Sequence, residues 1–226
     1  MPRRVPREHS DRPLQGFKLA YPMLSADGSR AGFSGVTVGR GHVYLAVDDA
    51  VCVQGSRHAP PSRWCDCGFY CFHEASCALD LACDPDHAGA VLLEVAVSGR
   101  YRRHERGLRY SRQRVRAVRI GRCACGRPAQ VLSDTGTGTV GWRRLLPACP
   151  SCTGTRPVVE PGEFARLGGG RFSVSTEPPD TTPPTATVTP DEAGAVAVLS
   201  AELAVLHARL DAMQASIDAL GRRGER

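Results

Sequence analysis

The sequence predicts a mainly β fold, followed by a flexible linker and a C-terminal coiled-coil helix. Three observations predict it. Cysteines cluster in short groups with ligand-like spacing. Segments such as "GVTVGRGHVYLAVDDAVCV" and "VLLEVAVSGRYRRHERGLRYSRQRVRAVRI" alternate β-branched or apolar residues with polar ones. A Pro/Thr-rich stretch then separates these segments from an apolar pattern of helical period.

Residues 1–16 read as a flexible basic arm, with "MPRRVPREHSDRP" polar and rich in proline. This start lacks the apolar core of a secretory signal. No apolar run approaches the ~20 residues of a membrane span. The chain is therefore expected to be cytoplasmic and to have no membrane partner. In such a compartment clustered cysteines serve metal binding or redox chemistry rather than disulfide scaffolds. The chain has 226 residues, 10 of them cysteine, and only 6% aromatics, so its core must be largely aliphatic. It holds a single lysine, Lys18, against 28 arginines, a bias that reads as genome composition.

Residues 17–120 are expected to form a β-rich metal-binding module. Within it, 17–53 is strand-like and 54–90 irregular, the latter carrying five cysteines. Residues 91–120 read as a hairpin closed by a three-residue loop, Glu105-Arg106-Gly107, with Gly107 left-handed. That register pairs Val97 with Val115 and Val95 with Ala117. It puts Val91, Leu93, Val95 and Val97 on one apolar face. The other face then carries Arg100, Arg102, Arg112, Arg114 and Arg116.

Residues 121–172 carry the stronger metal signal. "CACG" is followed by "CPSC", with 23 residues between Cys125 and Cys149. Cys123, Cys125, Cys149 and Cys152 supply four thiolates, which suit tetrahedral Zn²⁺ with no open position. The unit resembles a zinc ribbon, with its spacer forming a hairpin. No βαβ context surrounds Cys149-x-x-Cys152 to favour a thioredoxin-like redox pair. The module at 17–120 offers a second set. Cys52, His58, Cys65 and Cys67 are spaced C-x5-H-x6-C-x-C, a Cys₃His set that also closes a zinc tetrahedron. Two structural Zn²⁺ sites are thus expected. Cys71 is an alternative to Cys52 in the first set. Cys71, Cys77, Cys83, His73 and His87 otherwise read either as a further site or as small buried and surface side chains.

The knuckle H-A-P-P-x3-C-x-C-G-F-Y and the later "GRYRRHERGLR" resemble an uncharacterised group of actinobacterial zinc-binding proteins. Cys65, Cys67, Gly68 and Tyr70 match the group's knuckle, and His58 lies one residue off its pattern. Gly99, His104, Glu105, Gly107 and Arg109 match its H-E-x-G-x-R turn, while Ser98 stands where the group has tryptophan. The resemblance covers about residues 17–120. It implies a shared zinc-stabilised β-rich domain and brings no activity with it.

Several function classes lack their motifs. His73-Glu74 and His104-Glu105 are not followed by the second histidine of H-E-x-x-H. "PACPSC" does not fit the P-C-x-x-C of zinc deaminases. No phosphate-binding loop, nucleophile elbow or dinucleotide fingerprint is present. His104, Glu105 and Arg109 read as a turn with a local ion pair. The favoured reading is non-enzymatic, and a zinc hydrolase using His73 and Glu74 or His104 and Glu105 is the less favoured alternative.

Charge points to a partner. Residues 99–127 hold eleven arginines and one acid, for a local charge of +10 against +6 for the whole chain. Arginines along a hairpin face suit the phosphates of DNA or RNA. An acidic protein partner, with the chain as adaptor, is the alternative. Residues 173–189 read as a Pro/Thr-rich linker. Residues 190–221 read as a capped helix with Val196, Leu199, Leu203, Leu206, Leu210, Met213, Ile217 and Leu220 stepping alternately by three and four. That heptad seam, 196–220, predicts a homo-oligomer.

Overall fold

The computed structural model describes residues 8–37, 41–55 and 57–176. The expected coiled-coil helix and the linker beyond 176 lie outside the described residues, as does the arm before residue 8. The described chain is mainly β, with eleven strands in one sheet. No helix among the described residues is long and apolar enough to cross a membrane.

Strand β1, Glu8–Ser25, begins inside the segment read as an arm and is the organising element. It pairs antiparallel with β2 (Ala31–Gly35), β5 (Phe69–Phe72), β6 (Val91–His104) and β9 (Trp142–Ala148). Between β2 and β5 lie two short strands, β3 (Val43–Tyr44) on β2 and β4 (Val47–Asp49) on β7 (Gly107–Ile120). Strand β7, Gly107–Ile120, pairs with β6 and β5 and takes β11 (Ser173–Thr176) in parallel at its other end. Strand β8 (Val131–Thr139) pairs with β9, and β10 (Val158–Val159) pairs with β8. The hairpin of the second cysteine unit is thus continuous with the sheet of the first, through β1 and β9.

Alternation along β1 and β6 sorts side chains between two cores. Lys18 stands opposite Leu93 and Leu19 opposite Leu92. The larger core holds Leu93, Val95, Val97, Phe33, Tyr110 and Val115. The smaller holds Leu19, Tyr21, Met23 and Leu92, covered by Ala78 of helix α1 (Ala75–Ala82). That helix lies in the stretch read as irregular. Its Ala- and Leu-rich run forms eight residues with no side-chain cap, held by packing against the sheet. A 3-10 turn at Pro85–His87 and two more short helices, α2 (Pro150–Thr153) and α3 (Pro161–Leu167), complete the described elements. Phe164 of α3 is fully buried against Phe33 and Phe172.

The β6–β7 hairpin exists as expected, but its register differs. Val97 pairs with Gln113, and Val95 pairs with Val115. The turn has two residues, Glu105 and Arg106, and Gly107 is a strand residue without a positive φ. Its lack of a side chain serves close approach, because a Cβ there would run into the Cys71 carbonyl of β5. Two bulges account for the rest. Gly99 and Arg100 together face Ser111, with Gly99 at φ 76° and the Arg100 N–H donating to Ser111 Oγ at 2.9 Å. Arg116 is the extra residue on β7, so Val115 and Val118 both reach the core. The expected apolar face, Val91, Leu93, Val95 and Val97, is fully buried.

Candidate metal centres

The first centre is built where β4 gives way to a loop that returns through β5. Cys52 follows β4, and His58 sits in the loop. Cys65 and Cys67 lie just before β5. Their four donor atoms all lie within 4.8 Å of one another. Cys52 Sγ is 3.7 Å from Cys65 Sγ, and His58 Nε2 is 3.1 Å from Cys67 Sγ. Gly68, at φ 123°, makes the turn after the knuckle. A Cβ on it would press on Arg109 Cγ and the Tyr110 carbonyl, at 3.1 and 3.2 Å. The same turn lets the Cys67 amide face the Cys65 sulfur.

Arg109 on β7 is the residue that ties this loop to the sheet. Its side chain is buried, and its guanidinium donates to the Cys65 carbonyl at 2.8 Å and the Ser62 carbonyl at 2.6 Å. It also approaches the Tyr70 hydroxyl at 3.4 Å and Asp66 at 3.6 Å. Reading 104–109 as a bare turn missed this work. The signal was an arginine two residues after a strand-pairing glycine, which only tertiary pairing reveals as buried. His104 and Glu105 are exposed, as expected of a turn.

The second centre brings together Cys123, Cys125, Cys149 and Cys152, again with all donors within 4.8 Å. Cys125 and Cys149 sulfurs are 3.6 Å apart. The β8–β9 hairpin carries the second pair back to the first, and Cys149 precedes α2. Gly126, at φ 84°, closes the turn after the first pair. Cys123 and Cys149 are buried; Cys125 and Cys152 are exposed. The backbone N–H of Cys125 donates toward Cys123 and holds its thiol down at about 6. Hydrogen bonding with Cys125, Cys149 and Cys123 pushes Cys152 up to about 12. The thiols therefore share protons that a bound cation would displace. All ten cysteines are free thiols.

Both four-residue sets read from spacing are thus assembled, and either could hold a metal ion. Cys71, the alternative to Cys52, joins neither: it is buried in the larger core. Cys77 reaches Arg106, and Cys83 is exposed and bonds back to the Leu79 carbonyl. His73 Nε2 lies 3.2 Å from the His104 carbonyl oxygen. His87 is buried, 3.8 Å from an Asp84 carboxylate oxygen. Among the described residues these form no further metal cluster.

No family model, curated protein or solved structure matches the chain. Its chemistry must be argued from the sites themselves.

The arginines expected on one face are placed differently. Arg112, Arg114 and Arg116 are exposed, while Arg100 and Arg102 are half-buried. Arg100 sits in the bulge, and Arg102 pairs with Arg109. Arg112 is committed to a two-pronged ion pair with Asp49, both bonds at 2.7 Å.

Proposed function

We propose that the protein is a non-enzymatic zinc protein that associates with nucleic acid and assembles as a homo-oligomer. The geometry of the two clusters carries the zinc assignment. Tetrahedral zinc with bonds of about 2.3 Å to sulfur sets neighbouring sulfurs about 3.8 Å apart. The Cys52–Cys65 and Cys125–Cys149 separations, 3.7 and 3.6 Å, match that edge. Four protein donors complete each tetrahedron and leave no place for a reacting water, so both ions would be structural. The hairpin between the two cysteine pairs supports a zinc-ribbon reading of the second unit. Metal analysis of the purified full chain tests this. Two zinc ions per chain are expected, and a chain that folds without metal would overturn it.

The nucleic-acid reading rests on charge. Residues 99–127 carry +10, and Arg114, Arg116 and Arg119 are exposed along β7. Fluorescence anisotropy with labelled DNA and RNA is the test. Arg114→Ala with Arg116→Ala should weaken association and reduce its salt slope by about two. Absence of binding at low salt refutes this part. The heptad seam at 196–220, outside the described residues, supports self-association, which sedimentation of the full chain and of a chain ending at residue 179 would test. The first unit's likeness to the actinobacterial group is proposed to reflect a shared architecture. Three of the residues that carry it, Gly68, Gly107 and Arg109, each hold the knuckle or β5 against β7.

A further inference from the structure

The chain's only lysine is in its core. Lys18 is more than nine-tenths buried, an unusual place for an ammonium. Arginine fills 28 of the 29 Lys/Arg positions in this chain, so lysine is a marked choice here. Its Nζ lies 4.6 Å from the Tyr44 ring centre and 5.0 Å from that of Phe69. Among the described residues its hydrogen-bond partner is Gln113 Oε1, at a long 3.5 Å. Among the described residues no carboxylate pairs with it. A buried charge without a counter-ion is costly, and a bound anion at this position would offset that cost.

Such a ligand has a place to sit. Lys18, Tyr44, Phe69 and Cys71 all line a cavity of about 460 Å³ whose walls are mostly apolar, including Val36, Val51 and Leu81. That volume falls in the range of small-molecule sites. The Tyr44 hydroxyl on its wall is buried and makes no close hydrogen bond, with only the Gln113 side chain nearby. The ionisable groups around Lys18 are Cys71, Tyr44 and Tyr110, all neutral at pH 7. Asp66, Cys67, Tyr70, Arg106, His42 and His104 complete the charged and titratable lining. Asp66 is turned to Arg109, and Arg106 to Cys77.

We propose that this cavity binds an apolar monocarboxylate, its tail against the aliphatic wall and its carboxylate on the Lys18 ammonium, with the Tyr44 hydroxyl as a second donor. The inference is independent of the zinc and nucleic-acid readings.

Decanoate and decanol are the probes, sharing a tail and differing in head. Calorimetry with the full chain should show saturable decanoate binding at roughly tenfold higher affinity than decanol, about one charged contact. In Lys18→Met the two should bind alike. Because Lys18 is the sole lysine, isotope-labelled lysine gives a single side-chain NMR signal. Decanoate should shift that signal, and decanol should leave it in place. This readout stands on the native protein even if Lys18→Met fails to fold. Equal affinity for the two probes, no saturable decanoate binding, or a lysine signal unmoved by bound decanoate would overturn the proposal.

Discussion

Replacing Arg109 with methionine keeps most of the apolar stem and removes the guanidinium. Two charge-assisted bonds are lost, to Cys65 O at 2.8 Å and Ser62 O at 2.6 Å. Bonds of this kind contribute ~1.5–3 kcal/mol each. Both carbonyls belong to half-exposed residues, so water can replace part of what is lost. Methionine also removes the cost of burying a charge. A net destabilisation of about 2 kcal/mol follows, which for a chain of this size lowers Tm by about 4–8 °C. The loop that carries Cys65 and Cys67 would also lose its anchor to β7. Zinc at the first centre should then be released to a chelator at lower concentration, with the second centre unchanged. Arg109→Lys keeps the charge but not the fork, and should fall between the two. Melting followed by circular dichroism at buffered zinc, with chelator competition, reads both effects. An unchanged Tm together with equal release of both ions would refute the role assigned to Arg109.

Other outcomes follow from the same geometry. Cys152→Ser should cut bound zinc from two ions to one, whereas Cys83→Ser, at an exposed helix end, should leave it at two by mass spectrometry. Gly68→Ala forces a side chain into φ 123° and against the Tyr110 carbonyl, and should cost at least about 1 kcal/mol in denaturant titration. Burial lowers the Lys18 ammonium from 10.5 to about 8, so the unfolded chain binds more protons between those values and stability rises with pH there. Burial raises the Cys71 thiol from 9.0 to about 11, which gives the opposite slope above 9. The Lys18 rise should therefore stand clear between about pH 8 and 9, at ~1 kcal/mol, and vanish in Lys18→Met.

The metal centres were legible in the sequence because their logic is short-range. A C-x-C-G or C-x-x-C pair places two sulfurs on one turn whatever the rest of the chain does, and four donors exhaust a tetrahedron. The hairpin's apolar face was legible for the same reason, since alternation is local. Its register was not. Gly99 and Arg116 are bulges that follow from Ser111 and from the need to bring both Val115 and Val118 into the core, facts of the partner strand and the packing. Nor could spacing show that β9 joins β1, across more than a hundred residues, so that both cysteine units share a sheet. The burial of Arg109 is the same kind of fact. Lys18 did leave a trace, its solitude among arginines, but composition alone gave that trace no location.

That shared sheet ties the first centre to the buried lysine. Cys67 is a donor of the centre and also part of the cavity wall, and Phe69, two residues on, is one of the rings over Lys18. Gly68 between them is pinned beneath Arg109. An ion that fixes Cys67 therefore fixes where β5 begins, and with it the wall on which Phe69 stands. Loss of metal would free the knuckle from one end while Arg109 still held the other, so the cavity should loosen before the sheet does. Single-lysine labelling makes this visible. Chelation of the first centre should broaden or shift the Lys18 signal at temperatures where strand amide protection in β6 and β7 is retained. If the lysine signal changes only when that protection is lost, the knuckle and the cavity are held by the sheet alone.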